Sequence, residues 1–134
     1  MQQVLSDGVK RAVRNGCAFL VEAQLPHGEF PAYIATDPFL KRDCELNSTP
    51  FITTFVLYAL GFATDLPISH AVNGGLRFLK HEQESDGTWR YASSLNPDRA
   101  RLDADVDDTA CASWILRRHG VDFIPNVHIL RTNP

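Results

Sequence analysis

The sequence repeats itself at a spacing of 59 residues, and this repetition limits the possible folds more than any other feature. Eleven residues are identical to the residue 59 positions later, where average residue frequencies would give about three or four by chance. The first members of these pairs are Ala12, Val13, Gly16, Phe19, Leu20, Gln24, Gly28, Pro38, Arg42, Leu57 and Gly61. Such a period is typical of repeat architectures, in which each copy is one structural unit packed on its neighbours.

The pattern of the first copy predicts a helical hairpin. Apolar residues recur at near-helical spacing over residues 4–24, and a Pro-His-Gly break then ends the first helix. After a long connection, Thr49 and Pro50 are typical of a helix start, because a small polar cap precedes a proline at the first helical position. The second helix is expected to cover residues 51–60 and to end at Gly61.

The second copy repeats this plan. We expect one helix over about residues 67–82, a break at residues 85–87, and another helix over about residues 107–119 that ends at Gly120. The second helix of each unit is apolar on most sides, which favours an inner position in a layered helical array. The fold class is therefore predicted to be all-α.

The repeat also predicts the domain organisation. Residues 1–134 are interpreted as one partial domain, with a first unit over about residues 3–61, a second over 62–120, and the start of a third over 121–134. Two hairpins cannot shield both of their apolar faces, and a stable array usually needs three or more units. Either the remaining units lie outside these residues, or copies of the chain complete each other's core as a homo-oligomer.

Composition excludes several classes of function. The net charge of −3 and the isoelectric point near 5.9 give no basic surface of the kind that binds nucleic acid. Apolar stretches are far shorter than the roughly 20 residues of a membrane span. The isolated thiols Cys17, Cys44 and Cys111 form neither a disulfide framework nor a metal cluster, and we expect them to be buried or half-buried. They favour a reducing, cytoplasmic location, with peripheral attachment to a membrane left open.

A turn signature follows the first helix of each unit. Residues 83–89 read Gln-Glu-Ser-Asp-Gly-Thr-Trp, and residues 24–30 repeat the glutamine, the glycine and an aromatic residue. The glutamine amide is suited to bonding the open groups at a helix end, while the aromatic ring packs over the following turn. We interpret the signature as a structural link between repeats, and this is our preferred role for Gln83 and Trp89.

An acidic run precedes the last predicted helix. Asp103, Asp105, Asp107 and Asp108 occupy four of six positions, whereas residues 46–49, which lie 59 positions before residues 105–108, are not acidic. We expect Asp107 or Asp108 to cap the helix. Crowded carboxylates repel one another, so burial would keep one of them protonated at neutral pH, although the helix N-terminus favours the anion. The simpler alternative is that these aspartates cap the helix and face water.

Two other interpretations of the acidic run fail. In a calcium-binding EF-hand loop beginning at Asp103, the sixth residue would be Asp108 instead of glycine and the twelfth would be Trp114 instead of glutamate. An Asp-x-Asp-x-Thr phosphotransfer motif should follow a hydrophobic strand, and residues 99–102 form no such strand.

Residues 105–110, Asp-Val-Asp-Asp-Thr-Ala, resemble the D-x-D-D-T-A motif of squalene–hopene cyclases and class II diterpene cyclases, and residues 83–89 resemble the QW repeat of these enzymes. The resemblance implies an α/α toroid of inner and outer helices that cyclises a hydrophobic polyprenyl substrate by protonation, an isomerase or lyase reaction. It implies that Asp107 is the proton donor and that Asp105 and Asp108 orient and polarise it.

The same resemblance implies aromatic side chains around a cationic intermediate. Trp89, Tyr91 and Trp114, together with Phe55, are the available substrate-binding residues, although core packing is the alternative that we favour for each. No metal site or cofactor is expected, and Mg²⁺ would be needed only for a diphosphate substrate. Arg99 and Arg101 are suited either to a diphosphate or to pairing with Asp103, and we favour the pairing. The alternative function is a non-catalytic helical-repeat scaffold or a degenerate toroid with a binding role.

Overall fold

The computed structural model describes residues 6–39 and 41–132. Five α-helices, two short strands and one turn of 3-10 helix follow in this order: α1 Asp7–Ala23, β1 Tyr33–Ile34, β2 Glu45–Leu46, α2 Pro50–Leu60, α3 Ser69–His81, the 3-10 turn Arg99–Arg101, α4 Val106–Arg118 and α5 Val127–Thr132. The predicted all-α class is confirmed. The two strands pair antiparallel within the long connection of the first unit, with Tyr33 opposite Leu46.

The core lies between α2, α3 and α4. Leu57 of α2, Leu79 of α3 and Leu116 of α4 are completely buried, and Trp89 is buried among the same residues. Helix α3 approaches α2 closely at Gly75, where an added side-chain carbon would lie 3.0 Å from the Leu57 side chain. The second helices of the two units, α2 and α4, therefore pack on each other and on α3.

The glutamine–glycine turn joins each unit to the next. The Gln24 amide donates to the carbonyl oxygen of Gly28 at 2.9 Å and to that of Ala71, in the first turn of α3, at 2.8 Å. Gly28 has φ +100°, and a side-chain carbon there would lie only 2.2 Å from the Gly74 carbonyl oxygen. Only glycine permits this backbone approach.

The second turn makes a comparable joint with residues 121–126, where we predicted the start of a third unit. The Gln83 amide donates to the Gly87 carbonyl oxygen at 3.3 Å and to the Ile124 carbonyl oxygen at 3.0 Å, and its oxygen accepts from the Ile124 N–H at 3.0 Å. Asn126 adds a 2.8 Å hydrogen bond to the Gly87 carbonyl oxygen. Both glutamines therefore bond across a boundary between units, as the turn signature indicates.

The gapless 59-residue alignment is wrong at the second helix of each unit. The N-cap residues are Thr49 for α2 and Asp105 for α4, which lie 56 positions apart. Thr53 and Thr109 confirm this spacing, since their hydroxyls accept from the backbone N–H of Phe30 and of Trp89, each at 3.1 Å. Matching residues of the two units lie 59 positions apart at the turn and 56 positions apart at the helix cap. The connection between turn and cap is therefore three residues shorter in the second unit.

The cap itself also differs from expectation. Asp105, and neither Asp107 nor Asp108, caps α4: its side chain accepts from the Asp108 N–H at 2.8 Å. In the corrected register Asp107 corresponds to Phe51 and Asp108 to Ile52. An apolar residue thus occupies each of these positions in the first unit.

Helix α1 is the least buried of the long helices. Within it only Cys17 is buried, and Val9, Val13 and Phe19 are exposed. Cys111 is half-buried as expected, but Cys44 is exposed, which corrects the prediction for that thiol. In the described ranges, none of the helices combines the length and hydrophobicity that crossing a bilayer requires.

A pair of glycine substitutions tests the joint. Gly28→Ala should lower the free energy of unfolding by more than about 2 kcal/mol, because its left-handed backbone alone costs a side chain about 1–2 kcal/mol and the overlap with Gly74 adds to this. Gly16 lies in helix α1, and a side-chain carbon added there would meet no described neighbour within 4 Å. Gly16→Ala should therefore raise the free energy of unfolding by about 0.5–1 kcal/mol. Urea denaturation followed by circular dichroism measures both, and equal effects would contradict the proposed packing.

Candidate functional site

An apolar groove runs between α2 and α4. Its volume is about 470 Å³. The lining residues are Thr54, Phe55, Tyr58, Ala110, Cys111, Trp114 and Ile115. Three of them, Phe55, Tyr58 and Trp114, are large apolar side chains that remain about half exposed. The groove thus presents an apolar surface of the kind that binds a small hydrophobic molecule.

Helical spacing explains the aromatic wall of the groove. Phe51, Phe55 and Tyr58 recur every three or four residues along α2 and so share one face, and Phe62 follows Tyr58 by four residues just beyond the helix. Phe51 and Phe55 pack edge to face with ring centroids 4.8 Å apart, and Tyr58 packs with Phe62 at 5.1 Å. Across the groove, the Tyr58 ring lies 5.6 Å from that of Trp114. Helices α2 and α4 meet through the rings of Tyr58 and Trp114.

Asp107 lies in the first turn of α4, the helix that forms the other side of the groove. Ala110, Cys111 and Trp114 follow it at intervals of three, four and seven residues, which places all four on one face of α4. Asp107 is exposed at the N-terminal end of this face, and the three residues after it line the groove. A carboxyl group therefore lies at one end of an apolar surface.

Asp108 lies on the buried side of α4. Only 3% of its surface is exposed, and within residues 6–39 and 41–132 neither of its carboxyl oxygens has a hydrogen-bond partner. Burial, followed by the charges of Asp105 and Asp107, raises the pKa of Asp108 from 3.8 to about 7. Burial thus outweighs the preference of the helix N-terminus for an anion, and a protonated carboxyl is present near neutral pH.

The remaining members of the acidic run face solvent. Asp105 is exposed and uses its carboxylate as the helix cap. Asp103 is fully exposed, and its carboxylate lies 3.6 Å from Arg90. The predicted pairing of Asp103 with Arg99 or Arg101 is wrong, since Arg99 binds the carboxylates of Glu82 and Glu84 and Arg101 lies near Asp98.

Trp89 and Tyr91 lie away from the groove lining. The Trp89 ring is completely buried, its indole N–H donates to the Leu79 carbonyl oxygen at 2.8 Å, and it packs against Phe123. This side chain links α3 to the start of the third unit. The Tyr91 hydroxyl accepts from the Asn47 amide at 2.9 Å, and its ring lies 6.3 Å from that of Phe51. Of the four aromatic residues predicted at the site, Phe55 and Trp114 line the groove, whereas Trp89 and Tyr91 do not.

The structure adds residues that sequence reasoning missed. Tyr58 faces Trp114 across the groove, and the helical spacing of aromatic residues on α2 was the signal for it. Arg118 lies over the Trp114 ring, with its guanidinium carbon 5.3 Å from the ring centroid. No group of three or more ligating side chains in the described ranges is arranged to hold a metal ion.

Comparison with known proteins gives one relative. Over 81 residues, 60% of this chain, the sequence is 31% identical to lanosterol synthase of Saccharomyces cerevisiae. The chain spans 11% of the length of that relative. No protein-family model matches the sequence, and no solved structure matches it. The chain is thus similar to a short part of one terpene-cyclising enzyme.

The pKa of Asp108 leads to a prediction for stability. Its folded pKa lies above the unfolded value, so the neutral carboxyl stabilises the fold fully below pH 3.8, and this contribution is lost as pH rises through about 7. Relative to an Asp108→Asn variant, the free energy of unfolding should fall by about 2–4 kcal/mol between pH 4 and pH 8. Asp65→Asn, an exposed position, is the control and should change the profile little. If the two profiles run parallel, the pKa of Asp108 is not raised by folding, and the prediction is wrong.

Proposed function

We propose that this chain is a segment of a class II terpene cyclase-like protein, in which a polyprenyl molecule lies in the groove between α2 and α4 and the Asp105–Asp107–Asp108 group supplies the initiating proton. The single observation that carries the proposal is the buried carboxyl of Asp108 beside Asp107, which lies at the end of an apolar, aromatic groove. The similarity of 81 residues to lanosterol synthase supports the same class of reaction.

The proposed chemistry follows from the shape and polarity of the groove. A polyprenyl chain offers only apolar surface and double bonds, so its binding depends on burial of apolar area. Phe55, Tyr58 and Trp114 provide that area. Protonation begins when an alkene π pair takes the hydrogen of a carboxyl group, which leaves a carbocation on the chain and a carboxylate on the protein. The acid must therefore reach the groove in its neutral form.

We assign different roles in proton donation to Asp107 and Asp108. Asp107 lies at the N-terminal end of the groove face of α4, whereas the buried Asp108 has the raised pKa. Neighbouring carboxyl groups share protons, so the proton belongs to the group and not to one residue. We therefore retain Asp107 as the donor because it lies on the groove face, with Asp108 as the buried neighbour that shares the proton and Asp105 as the cap that orders the helix.

Ligand binding tests the groove directly. Trp89 is fully buried, so a change in tryptophan emission on titration with geranylgeraniol should report Trp114. Ala110→Phe should fill the groove and weaken binding at least about tenfold, since it removes apolar contact from the ligand. Leu95→Phe, an exposed apolar residue outside the groove lining, is the matched control and should leave binding unchanged. If both variants bind alike, the ligand does not lie in this groove.

The acid assignment has its own test. In any assembly of this chain that forms cyclised products from a polyprenyl substrate, Asp107→Asn should lower product formation by about 10²-fold or more, the usual contribution of a general acid. Asp103→Asn, at a fully exposed position, should retain activity. Gas chromatography of the products measures both. Full activity in Asp107→Asn would refute the donor assignment, and binding without any product would favour a scaffold that only holds the hydrophobic ligand.

A further inference from the structure

The groove face of α4 carries a charged residue at each end. Asp107 lies in the first turn of the helix and Arg118 is its last residue, and both are exposed. Eleven residues separate them, so their backbones lie about 16 Å apart along the helix axis. Arg118 follows Trp114 by four residues and therefore lies on the same face of α4 as the groove lining. The groove is thus acidic at one end and basic at the other.

The first unit shows that the packing of an inner helix does not require the basic residue. In the corrected register of 56 residues, Trp114 corresponds to Tyr58 and Arg118 corresponds to Phe62. Tyr58 and Phe62 pack edge to face with ring centroids 5.1 Å apart, and Trp114 and Arg118 form the matching pair in the second unit. An aromatic ring therefore satisfies this position in one unit, and a cation replaces it in the other.

The Arg118 side chain lies over the Trp114 ring. Its guanidinium carbon is 5.3 Å from the centroid of that ring. Its Nε atom would lie 4.0 Å from a side-chain carbon added at Gly61, the residue that ends α2. The side chain therefore reaches from α4 toward the end of α2, and it occupies one face of a ring that lines the groove.

No carboxylate of the described residues forms an ion pair with Arg118. Its charge is felt by the next residue: burial, followed by the charge of Arg118, lowers the pKa of His119. The face of an indole ring attracts a cation, and like charges repel. A positive charge on a ligand near Trp114 would therefore find one ring face already occupied and a guanidinium group close by.

We propose that Arg118 sets the charge selectivity of the groove, so that the groove binds a neutral hydrophobic molecule and rejects one that carries a positive charge beside Trp114. This inference rests on the proposed function, because it takes the groove as the ligand site. Trp114 then supplies apolar contact to the ligand while Arg118 occupies its ring face. In the proposed reaction, positive charge on the ligand is favoured near Asp107 and disfavoured near Trp114. Arg118 is thus a specificity-determining residue and not a catalytic one.

Two ligands of similar shape test this selectivity. Dihexyldimethylammonium carries a permanent positive charge between two hexyl chains, which places the charge in the middle of the groove, and dihexyl ketone is its neutral counterpart. Titration followed by tryptophan emission measures both Kd values and reports Trp114, since Trp89 is fully buried. Arg118→Met should strengthen ammonium binding about fivefold or more, because it removes a like charge from beside the ligand. Binding of the ketone should not change.

Two further variants separate the local charge from other effects. Arg117→Met removes the same charge from an adjacent exposed residue while the contact of Arg118 with Trp114 remains, and it should change the affinity for neither ligand. Arg118→Lys keeps the positive charge and should retain the weak ammonium binding of the unmodified chain. Asp107 is present in every variant, so its attraction for the ammonium ion cancels from the comparison.

The outcomes distinguish this inference from the proposed function. Unchanged ammonium binding in Arg118→Met, or an equal gain in Arg117→Met or Arg118→Lys, would overturn the role of Arg118 while the groove still binds a hydrophobic ligand. If neither ligand alters the emission of Trp114 in any variant, the groove binds no hydrophobic molecule, and the proposed function is wrong together with this inference.

Discussion

The close approach of the Gly28 turn to the backbone of α3 is the contact on which the rest of the structure depends. It brings the Gln24 amide within hydrogen-bond distance of both its own turn and the first turn of α3. The residues directly after the turn then position α2: the fully buried Glu29 accepts from the Thr49 N–H at 2.7 Å and from the Ser48 hydroxyl at 2.7 Å. The short segment from Gln24 to Glu29 therefore orients both α3 and α2.

The position of the inner helices in turn creates the groove. Ser48 also pairs with Ser93 of the second unit, and Asn96 donates to the Ser48 carbonyl oxygen at 2.9 Å, so the start of α2 is bonded to the connection that leads into α4. Leu57 and Leu116 fill the space between the helices on the buried side. Tyr58 and Trp114 are then left facing each other on the open side. The groove is a consequence of how two repeats stack.

Local signals in the sequence predicted the helices well, because each is carried by neighbouring residues. Thr49 and Pro50 start α2 as expected, and the glutamine–glycine turn lies where the two helices of a unit separate. The register of the inner helix was not predictable in this way. Loop length is constrained only by where the loop ends, so three residues could be lost before Asp105 without a local trace. Burial of Asp108 depends on that register and on contacts from distant parts of the chain.

The two units, compared in the corrected register, argue that Asp108 is not explained by the fold alone. Ile52 occupies the matching position of α2, so an apolar residue satisfies the packing of an inner helix at this point. Asp108 replaces it with a carboxyl group whose oxygens have no partner in the described residues and whose pKa is raised to about 7 by burial and by neighbouring charges. Such a group costs stability whenever it is ionised. A residue that weakens the fold in one unit, beside the exposed Asp107 on the groove face, fits the catalytic role that we propose for this group of aspartates.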